Sequence, residues 1–212
     1  LSTDSYHIAL LMPTFLGNNA RRYYGQGPVP KQLNILWKQF VGGGYTRVKG
    51  EDRFWMGTGW TGQPLLTEEN GVMYVIIGAY NHELWKFNAL TGDGIWRQKF
   101  NNVLKGSGTI YINPAARTVR EKGIIFYGSR KTSGEPDSKG KGNYRAVSLL
   151  TGEDLWTFPV PKTECYSQDA DCTGLIIDGR LFWGAENCYF YLINPAAVIT
   201  RETLTRPKII KK

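Results

Sequence analysis

One short pattern recurs along the chain and constrains its fold more than any other feature. It is a Thr-Gly pair followed four residues after the Gly by Trp, and its two copies are Thr91-Gly-Asp-Gly-Ile-Trp96 and Thr151-Gly-Glu-Asp-Leu-Trp156. The segment Leu36-Trp-Lys-Gln-Phe40 places another Trp at nearly the same interval before the first copy. Equal spacing of this kind indicates an internal repeat, which is typical of proteins built from stacked units.

The intervals between the Trp residues are filled in the same order each time. An apolar run that begins and ends with Gly occupies residues 71–78, 123–128 and 179–184. A Gly-containing segment precedes each run, at residues 59–66, 106–112 and 171–177. A second strand-like segment follows each run, at residues 83–87, 144–148 and 189–193. The repeat therefore predicts four strands: an inner strand, a buried core strand, an alternating strand and an outer Trp strand.

Physical chemistry explains why such units stack. A single four-stranded antiparallel sheet cannot bury both of its faces, whereas sheets arranged radially around an axis bury them against their neighbours. We predict that Trp37, Trp96 and Trp156 fill the gaps between sheets, because Trp supplies a large apolar area. Gly92 and Gly152 supply the positive φ that a tight turn needs. The expected fold class is all-β, a β-propeller of four-stranded antiparallel blades.

The motif Ala/Leu-Leu-Thr-Gly-x-x-Ile/Leu-Trp, preceded by a strand that ends in Asn or Ser, resembles the Trp-docking repeat of the PQQ-like (quinoprotein-type) β-propeller family. The resemblance covers residues 30 to 195, roughly. It implies a location outside the cytoplasm: periplasmic, outer-membrane-associated or secreted. In enzymes of the family it implies pyrroloquinoline quinone (PQQ) over the central axis, with a calcium ion, although many members bind no quinone.

The repeat divides the chain into five parts. We expect a lead-in at residues 1–30 that packs on the surface of the ring, the outer strand of a first blade at 31–41, and a second blade at 42–100. A third blade follows at 101–160 with insertions at 113–122 and 131–142, and an incomplete fourth blade of three strands with a basic tail at 161–212. Only about three blades' worth of strands is present, whereas propellers have about four to eight blades. We therefore expect a fragment of a longer protein or a chain that pairs with a second one.

Charge and cysteine content exclude several classes of function. The net charge is +8, but no nucleic-acid-binding motif accompanies it, so no specific nucleic acid is expected. The sequence contains no run of 18 apolar residues, so no transmembrane segment is expected. Cys165 and Cys172 bracket a polar loop and are candidates for a disulfide, whereas Cys188 lies in a strand pattern and is expected to be a small buried hydrophobe.

Two hypotheses for function follow. The first is a PQQ- and calcium-dependent dehydrogenase fragment, for which the resemblance implies calcium held by oxygen donors. The available donors near the end of the chain are Asp169, Asp171, Glu186 and Asn187. Trp60 is a candidate for stacking on a ligand.

The second hypothesis is a non-catalytic scaffold that contacts a protein partner, and it is the one we favour, because the sequence contains no nucleophile–base set and no phosphate loop. Its contact candidates are Trp60, Arg130 and Tyr166, with the carboxylates Asp169, Asp171 and Glu186. A glycan-binding propeller is a further alternative.

Overall fold

The computed structural model describes residues 3–23, 25, 27–59, 61–131, 142–165, 167–196 and 209–211; of Asp4 and residues 209–211 it describes the backbone alone. The described strands are, in chain order, β1 (Ile8–Met12), β2 (Gly43–Val48), β3 (Glu51–Met56), β4 (Leu65–Glu69), β5 (Val72–Gly78), β6 (Glu83–Asn88), β7 (Gly94–Lys99), β8 (Thr109–Ile112), β9 (Gly123–Gly128), β10 (Tyr144–Ser148), β11 (Asp154–Phe158), β12 (Leu175–Ile177), β13 (Arg180–Gly184), β14 (Phe190–Ile193) and β15 (Ile209–Lys211). A 3-10 turn spans Thr3–Ser5, and one short helix, α1, spans Val119–Lys122. Neither of these described helices has the length or apolarity needed to cross a membrane.

The strands form three antiparallel sheets and one separate hairpin. The first sheet has the order β1-β4-β5-β6-β7, the second β8-β9-β10-β11, and the third β12-β13-β14-β15. Strands β2 and β3 pair only with each other, and we call this hairpin the arm. The prediction of an all-β chain made of antiparallel sheets is confirmed, and the described strands do not close into a ring.

Tight turns of one kind join several of these strands. The pairs Lys49-Gly50, Asn70-Gly71 and Asp178-Gly179 each have positive φ at both residues. Two residues of positive φ give the turn whose twist matches antiparallel strands, and Gly adopts this conformation without steric cost. These pairs fix the register of the arm, of β4 with β5, and of β12 with β13.

The second sheet lies between the other two and is buried on both faces. Leu65, Ile76 and Leu84 of the first sheet pack with Ile125 and Val147 of the second. On the opposite face, apolar residues of the second sheet pack with residues of the third, among them Phe126, Tyr144, Trp156 and Phe158 with Trp183, Tyr191 and Ile193. Each such side chain contributes about 1.5–3 kcal/mol when fully buried, so these two cores hold the three sheets in a stack.

A buried ion pair is enclosed between the first and second sheets. Lys86 Nζ lies 2.6 Å from Glu69 Oε1 and donates a hydrogen bond to the carbonyl of Leu149, 2.9 Å away. The Tyr6 hydroxyl donates to the same Glu69 carboxylate. Burial lowers the pKa of Lys86, although the neighbouring carboxylate opposes that change. Strand β6 thus carries a charge into an apolar interface, where Glu69 compensates it.

Two Trp residues dock between sheets in the same way. Trp37 Nε1 donates to the carbonyl of Ala89 over 2.9 Å, and Trp96 Nε1 donates to that of Leu149 over 3.1 Å. A Cβ added to Gly92 would lie 2.7 Å from the Trp37 ring, and one added to Gly152 would lie 2.7 Å from the Trp96 ring. Both glycines have positive φ, so the turn conformation and the close indole contact each favour glycine. Trp156 is buried, and its Nε1 has no hydrogen-bond partner among the described residues.

Three expectations about the strands were wrong. Residues 31–41 form no strand, because no described strand lies beside them to supply hydrogen bonds, although Trp37 still docks. The lead-in at 1–30 contributes β1, which pairs with β4 and extends the first sheet instead of lying on a surface. The last sheet has four strands and not three, because β15 pairs with β14 through the backbone, which requires neither a Thr-Gly turn nor a Trp.

The candidate disulfide between Cys165 and Cys172 does not form. Cys165 is bonded to Cys188, with their Cα atoms 6.0 Å apart, and Cys172 is an exposed free thiol. The turn between β13 and β14 brings Cys188 beside the loop that follows β11. Cys188 is therefore a cross-link between two loops and not a buried hydrophobe.

Candidate functional site

A cleft of about 770 Å³ opens where the arm meets the loops that precede β8 and β12, and we call it the central cleft. Three aromatic residues line it: Phe15, Trp55 and Tyr80. Its charged lining residues are Lys105, Asp171 and Glu186. The remaining lining residues are Thr61, Gly106, Cys172, Thr173, Gly184 and Ala185.

The arm brings the aromatic side of the cleft into place. Residues alternate across the hairpin, so that Trp55 faces the body of the protein while Tyr45 and Phe54 face outwards. Gly44 allows this close approach, because a Cβ at that position would lie 2.5 Å from the Tyr80 carbonyl. The Trp55 and Tyr80 rings are 5.3 Å apart as a result.

Two cations and two carboxylates form an ion-pair network below the aromatic wall. Lys105 Nζ contacts Asp171 Oδ2 and lies 3.6 Å from Asp169 Oδ2. Arg130 Nε donates to Asp169 Oδ2 over 2.8 Å, and the Lys131 amide donates to Asp169 Oδ1 over 2.8 Å. Asp171 Oδ1 has no hydrogen-bond partner among the described residues. Asp169 is therefore saturated with donors, whereas Asp171 has acceptor capacity left.

The two charged groups nearest the cleft have perturbed pKa values. Burial raises the pKa of Asp171 to about 6, aided by the charges of Asp169 and Glu186 and opposed by Lys105. Burial lowers the pKa of Lys105, but the attraction of Asp171 outweighs it, so that the pKa of Lys105 is raised overall. The ammonium therefore stays charged at neutral pH, and Asp171 titrates close to that range.

Arg130 connects the network to the arm. Its Nη1 donates to Thr46 Oγ1 over 3.0 Å, and its guanidinium lies 5.3 Å from the centre of the Trp55 ring. Because Arg130 is engaged on several sides, its position is that of an internal brace for the arm. If Arg130 contributes to partner binding, it does so indirectly, by holding the arm in place through Thr46 and Trp55.

The donors suggested for calcium do not fit that ion. Oxygen atoms of Asp169, Asp171 and Glu186 lie within 4.8 Å of one another. The Lys105 ammonium already occupies the position beside both aspartates where a cation would bind. Asn187 is unsuited as a ligand, because its Oδ1 accepts the amide hydrogen of Tyr189 and its Nδ2 donates to Tyr191 and Pro161. We therefore derive no chemistry through calcium or a quinone.

The structure brings together some of the site residues predicted from the sequence and leaves others undescribed. Carboxylate oxygens of Asp169, Asp171 and Glu186 converge. Trp60 and Tyr166, and most of the insertion at 131–142, lie outside the described residues. Sequence reasoning missed Lys105, Tyr80 and Phe15, which come from loops with no motif of their own. The only hint was that Lys105 directly precedes a Gly-rich inner segment.

The cleft lining offers little for nucleophilic chemistry. Its thiol, Cys172, lies 3.8 Å from the carbonyl of its own neighbour Thr173. The described lining residues include no histidine, and His82 contacts the carbonyl of Tyr45 on the arm over 2.8 Å.

Comparison with models of protein families gave no match, and comparison with curated proteins gave none either. The solved structure of BamB from Moraxella catarrhalis is similar over 74% of this chain and 48% of that chain, with 13% sequence identity and a TM-score of 0.40. The chain thus spans about half the length of that structure. A likeness this distant carries no argument about function.

Proposed function

We propose that the chain is a non-catalytic scaffold of the β-propeller type, and that it binds a protein partner outside the cytoplasm. The observation that carries the proposal is a band of exposed large apolar side chains in residues 29–56. Its members are Val29, Leu33, Ile35, Leu36, Phe40, Tyr45, Phe54 and Met56, each between 52% and 87% exposed. Exposed apolar side chains that lie together are typical of surfaces that contact other proteins.

The arm supplies the best-defined part of this band. Tyr45 pairs with Phe54, their rings 5.0 Å apart, and Met56 follows on the same outward face. The inward face is held by Thr46 and Trp55, which contact Arg130. The arm is therefore braced from behind, so that the outward residues lose little conformational freedom when they bind.

Segment 31–41 completes the contact surface. Its Trp37 is docked on the first sheet, whereas its backbone has no strand partner among the described residues. An unpaired backbone of this kind is suited to accept a strand from another part of a longer chain or from a partner. The two equivalent Trp docks support the radial arrangement of a propeller.

Two further features support the proposal. The ion pairs of the central cleft neutralise most of its charge internally, as expected of a structural site more than of a catalytic one. The Cys165–Cys188 disulfide supports an oxidising compartment such as the periplasm or the exterior of the cell.

Site-specific photocrosslinking tests the proposal. A photoreactive phenylalanine at position 54, introduced in the native cell, should give one adduct of defined mass that disappears when Tyr45→Ser and Met56→Ser are added. The same group at Phe190, which is also an exposed aromatic position, is the matched control and should give no such adduct. Adducts of equal yield at both positions, or none at position 54, would exclude the arm as a partner surface.

A further inference from the structure

The central cleft contains polar groups that no described residue engages. The Trp55 indole N–H and the Tyr80 hydroxyl line the cleft and make no hydrogen bond within the described part of the chain. The Glu186 side chain is exposed in the same lining, and its carboxylate makes no hydrogen bond or ion pair with a described residue. The cleft therefore has both donors and an acceptor available for a ligand.

The aromatic wall of the cleft leaves ring surface for an apolar contact. The Trp55 and Tyr80 rings are inclined at 54° with their centroids 5.3 Å apart, so they form a wedge and not a closed stack. The Arg130 guanidinium lies 5.3 Å from the centre of the Trp55 ring and holds that residue in place. The face of an aromatic ring is electronegative and attracts C–H groups that carry a partial positive charge. The wall is therefore suited to a ligand with an apolar C–H face.

Charges of both signs line the cleft, and this disfavours an ionic ligand. Lys105 Nζ lies beside Asp169 and Asp171, and a carboxylate oxygen of Glu186 lies within 4.8 Å of oxygens of both aspartates. A cationic ligand would meet the Lys105 ammonium, and an anionic ligand would meet Glu186. An ion would also lose its hydration on entering the cleft, which costs more than the desolvation of a hydroxyl group. An uncharged polar ligand therefore fits these walls best.

We infer that the central cleft binds a saccharide. A sugar ring has an apolar C–H face that can stack on Trp55 or Tyr80, and its hydroxyl groups both donate and accept hydrogen bonds. Those hydroxyls match the unengaged groups of Trp55, Tyr80 and Glu186. The volume of about 770 Å³ lies in the range of about 300–1,000 Å³ typical of small-molecule sites. A free sugar and a chain within a polysaccharide share this chemistry.

Calorimetric titration of the purified chain with probes of two sizes tests the inference and separates the two sources. Glucose and N-acetylglucosamine are the free sugars, and cellohexaose, maltohexaose and chitohexaose are the uncharged chains. We expect saturable binding of at least one of these probes. Binding of a hexasaccharide alone would identify a polysaccharide chain, and a monosaccharide that binds as tightly as a hexasaccharide would identify a free sugar.

A charged probe tests the preference for an uncharged ligand. Hexagalacturonate has a carboxylate on every ring and should bind about tenfold more weakly than the best uncharged hexasaccharide, because Glu186 repels it. The absence of saturable binding to all five uncharged probes would overturn the inference. So would binding of hexagalacturonate that is as tight as that of the best uncharged probe.

Two matched Trp variants locate the binding in the central cleft. Trp55→Ala should weaken binding of the best probe about tenfold or more, because the ring face and the indole donor are both lost. Trp85 is the control, since it is also half-buried and has the Arg97 guanidinium 5.4 Å from its ring centre, but it does not line the cleft. Trp85→Ala should change the affinity less than about twofold.

A milder variant keeps the test valid if Trp55→Ala loosens the arm, which thermal unfolding would show. Tyr80→Phe retains the ring and removes only the hydroxyl, so it should weaken binding about two- to tenfold through one lost hydrogen bond. An equal loss of affinity in Trp55→Ala and Trp85→Ala would overturn the inference. Unchanged affinity in both Trp55→Ala and Tyr80→Phe would overturn it as well.

Discussion

Substitution of Gly152 by alanine tests how the sheets are joined. Gly152 has a φ of +74°, and a Cβ at this position would lie 2.7 Å from a ring carbon of Trp96. Real Cβ atoms essentially never approach another atom so closely, and the Trp96 ring cannot retreat without losing its hydrogen bond to Leu149. The substitution therefore adds a steric clash to a strained backbone.

The loss in the free energy of unfolding that Gly152→Ala should cause follows from these two effects. A non-Gly residue in left-handed backbone costs about 1–2 kcal/mol. Overpacking by one methyl group in a tight interface costs about 1–3 kcal/mol. Their sum is about 2–5 kcal/mol, and its midpoint of about 3.5 kcal/mol lowers Tm by about 7–14 °C for a domain of this size.

Urea unfolding and calorimetry of five variants separate the effects: Gly152→Ala, Gly71→Ala, Gly94→Ala, Trp96→Ala, and Gly152→Ala combined with Trp96→Ala. Gly71 has a φ of +81° with open space around it, so Gly71→Ala should cost only the backbone term of about 1–2 kcal/mol. Gly94 has ordinary φ and open space, so Gly94→Ala should cost nothing. In a Trp96→Ala background, Gly152→Ala should cost no more than Gly71→Ala does. Equal costs of Gly152→Ala with and without the Trp96 ring would refute the docking geometry.

Three other changes probe the charged groups. Lys86→Met should lower the free energy of unfolding by about 3–5 kcal/mol because it leaves Glu69 charged and buried, while adding Glu69→Met should recover part of this loss in urea unfolding. Burial raises the pKa of Asp171 to about 6, so the contribution of this residue to the free energy of unfolding falls as pH rises from about 4 to 6. Asp171→Asn should remove that fall. A pH profile of stability that the substitution leaves unchanged would contradict the raised pKa of Asp171. Lys105→Met should create a calcium-dependent rise in Tm that the unchanged chain lacks, since it removes the ammonium beside Asp169 and Asp171, whose carboxylate oxygens lie within 4.8 Å of one another and of Glu186; an equal rise in both would mean that Lys105 does not take the place of a metal.

The strands of the repeat were predictable because their signals are local. The Gly-bounded run at 123–128 coincides with β9, whose residues are all buried, and the alternating segment at 144–148 coincides with β10. Each signal lies within a few residues, since burial on both faces dictates a continuous apolar run.

Features that depend on distant parts of the chain were not predictable. Strand β1 pairs with residues about 60 positions away, and no short pattern specifies that partner. The pairing of Cys165 with Cys188 depends on where the β13–β14 turn lies, and spacing alone does not determine connectivity. In the same way Asp169 and Asp171 were identified from the sequence, whereas Lys105 was missed because a contact between two loops brings it to them.

Amide hydrogen exchange of residues 29–56 tests the central claim, that this region is the partner surface of a scaffold. In the isolated chain, the amides of residues 31–41 should exchange rapidly, because no described strand pairs with them, while those between β2 and β3 should exchange more slowly. In the complex recovered by crosslinking at position 54, the amides of residues 31–41 should become protected, with little change in β9 and β10. Slow exchange of residues 31–41 in the isolated chain, or no added protection in the complex, would contradict the account.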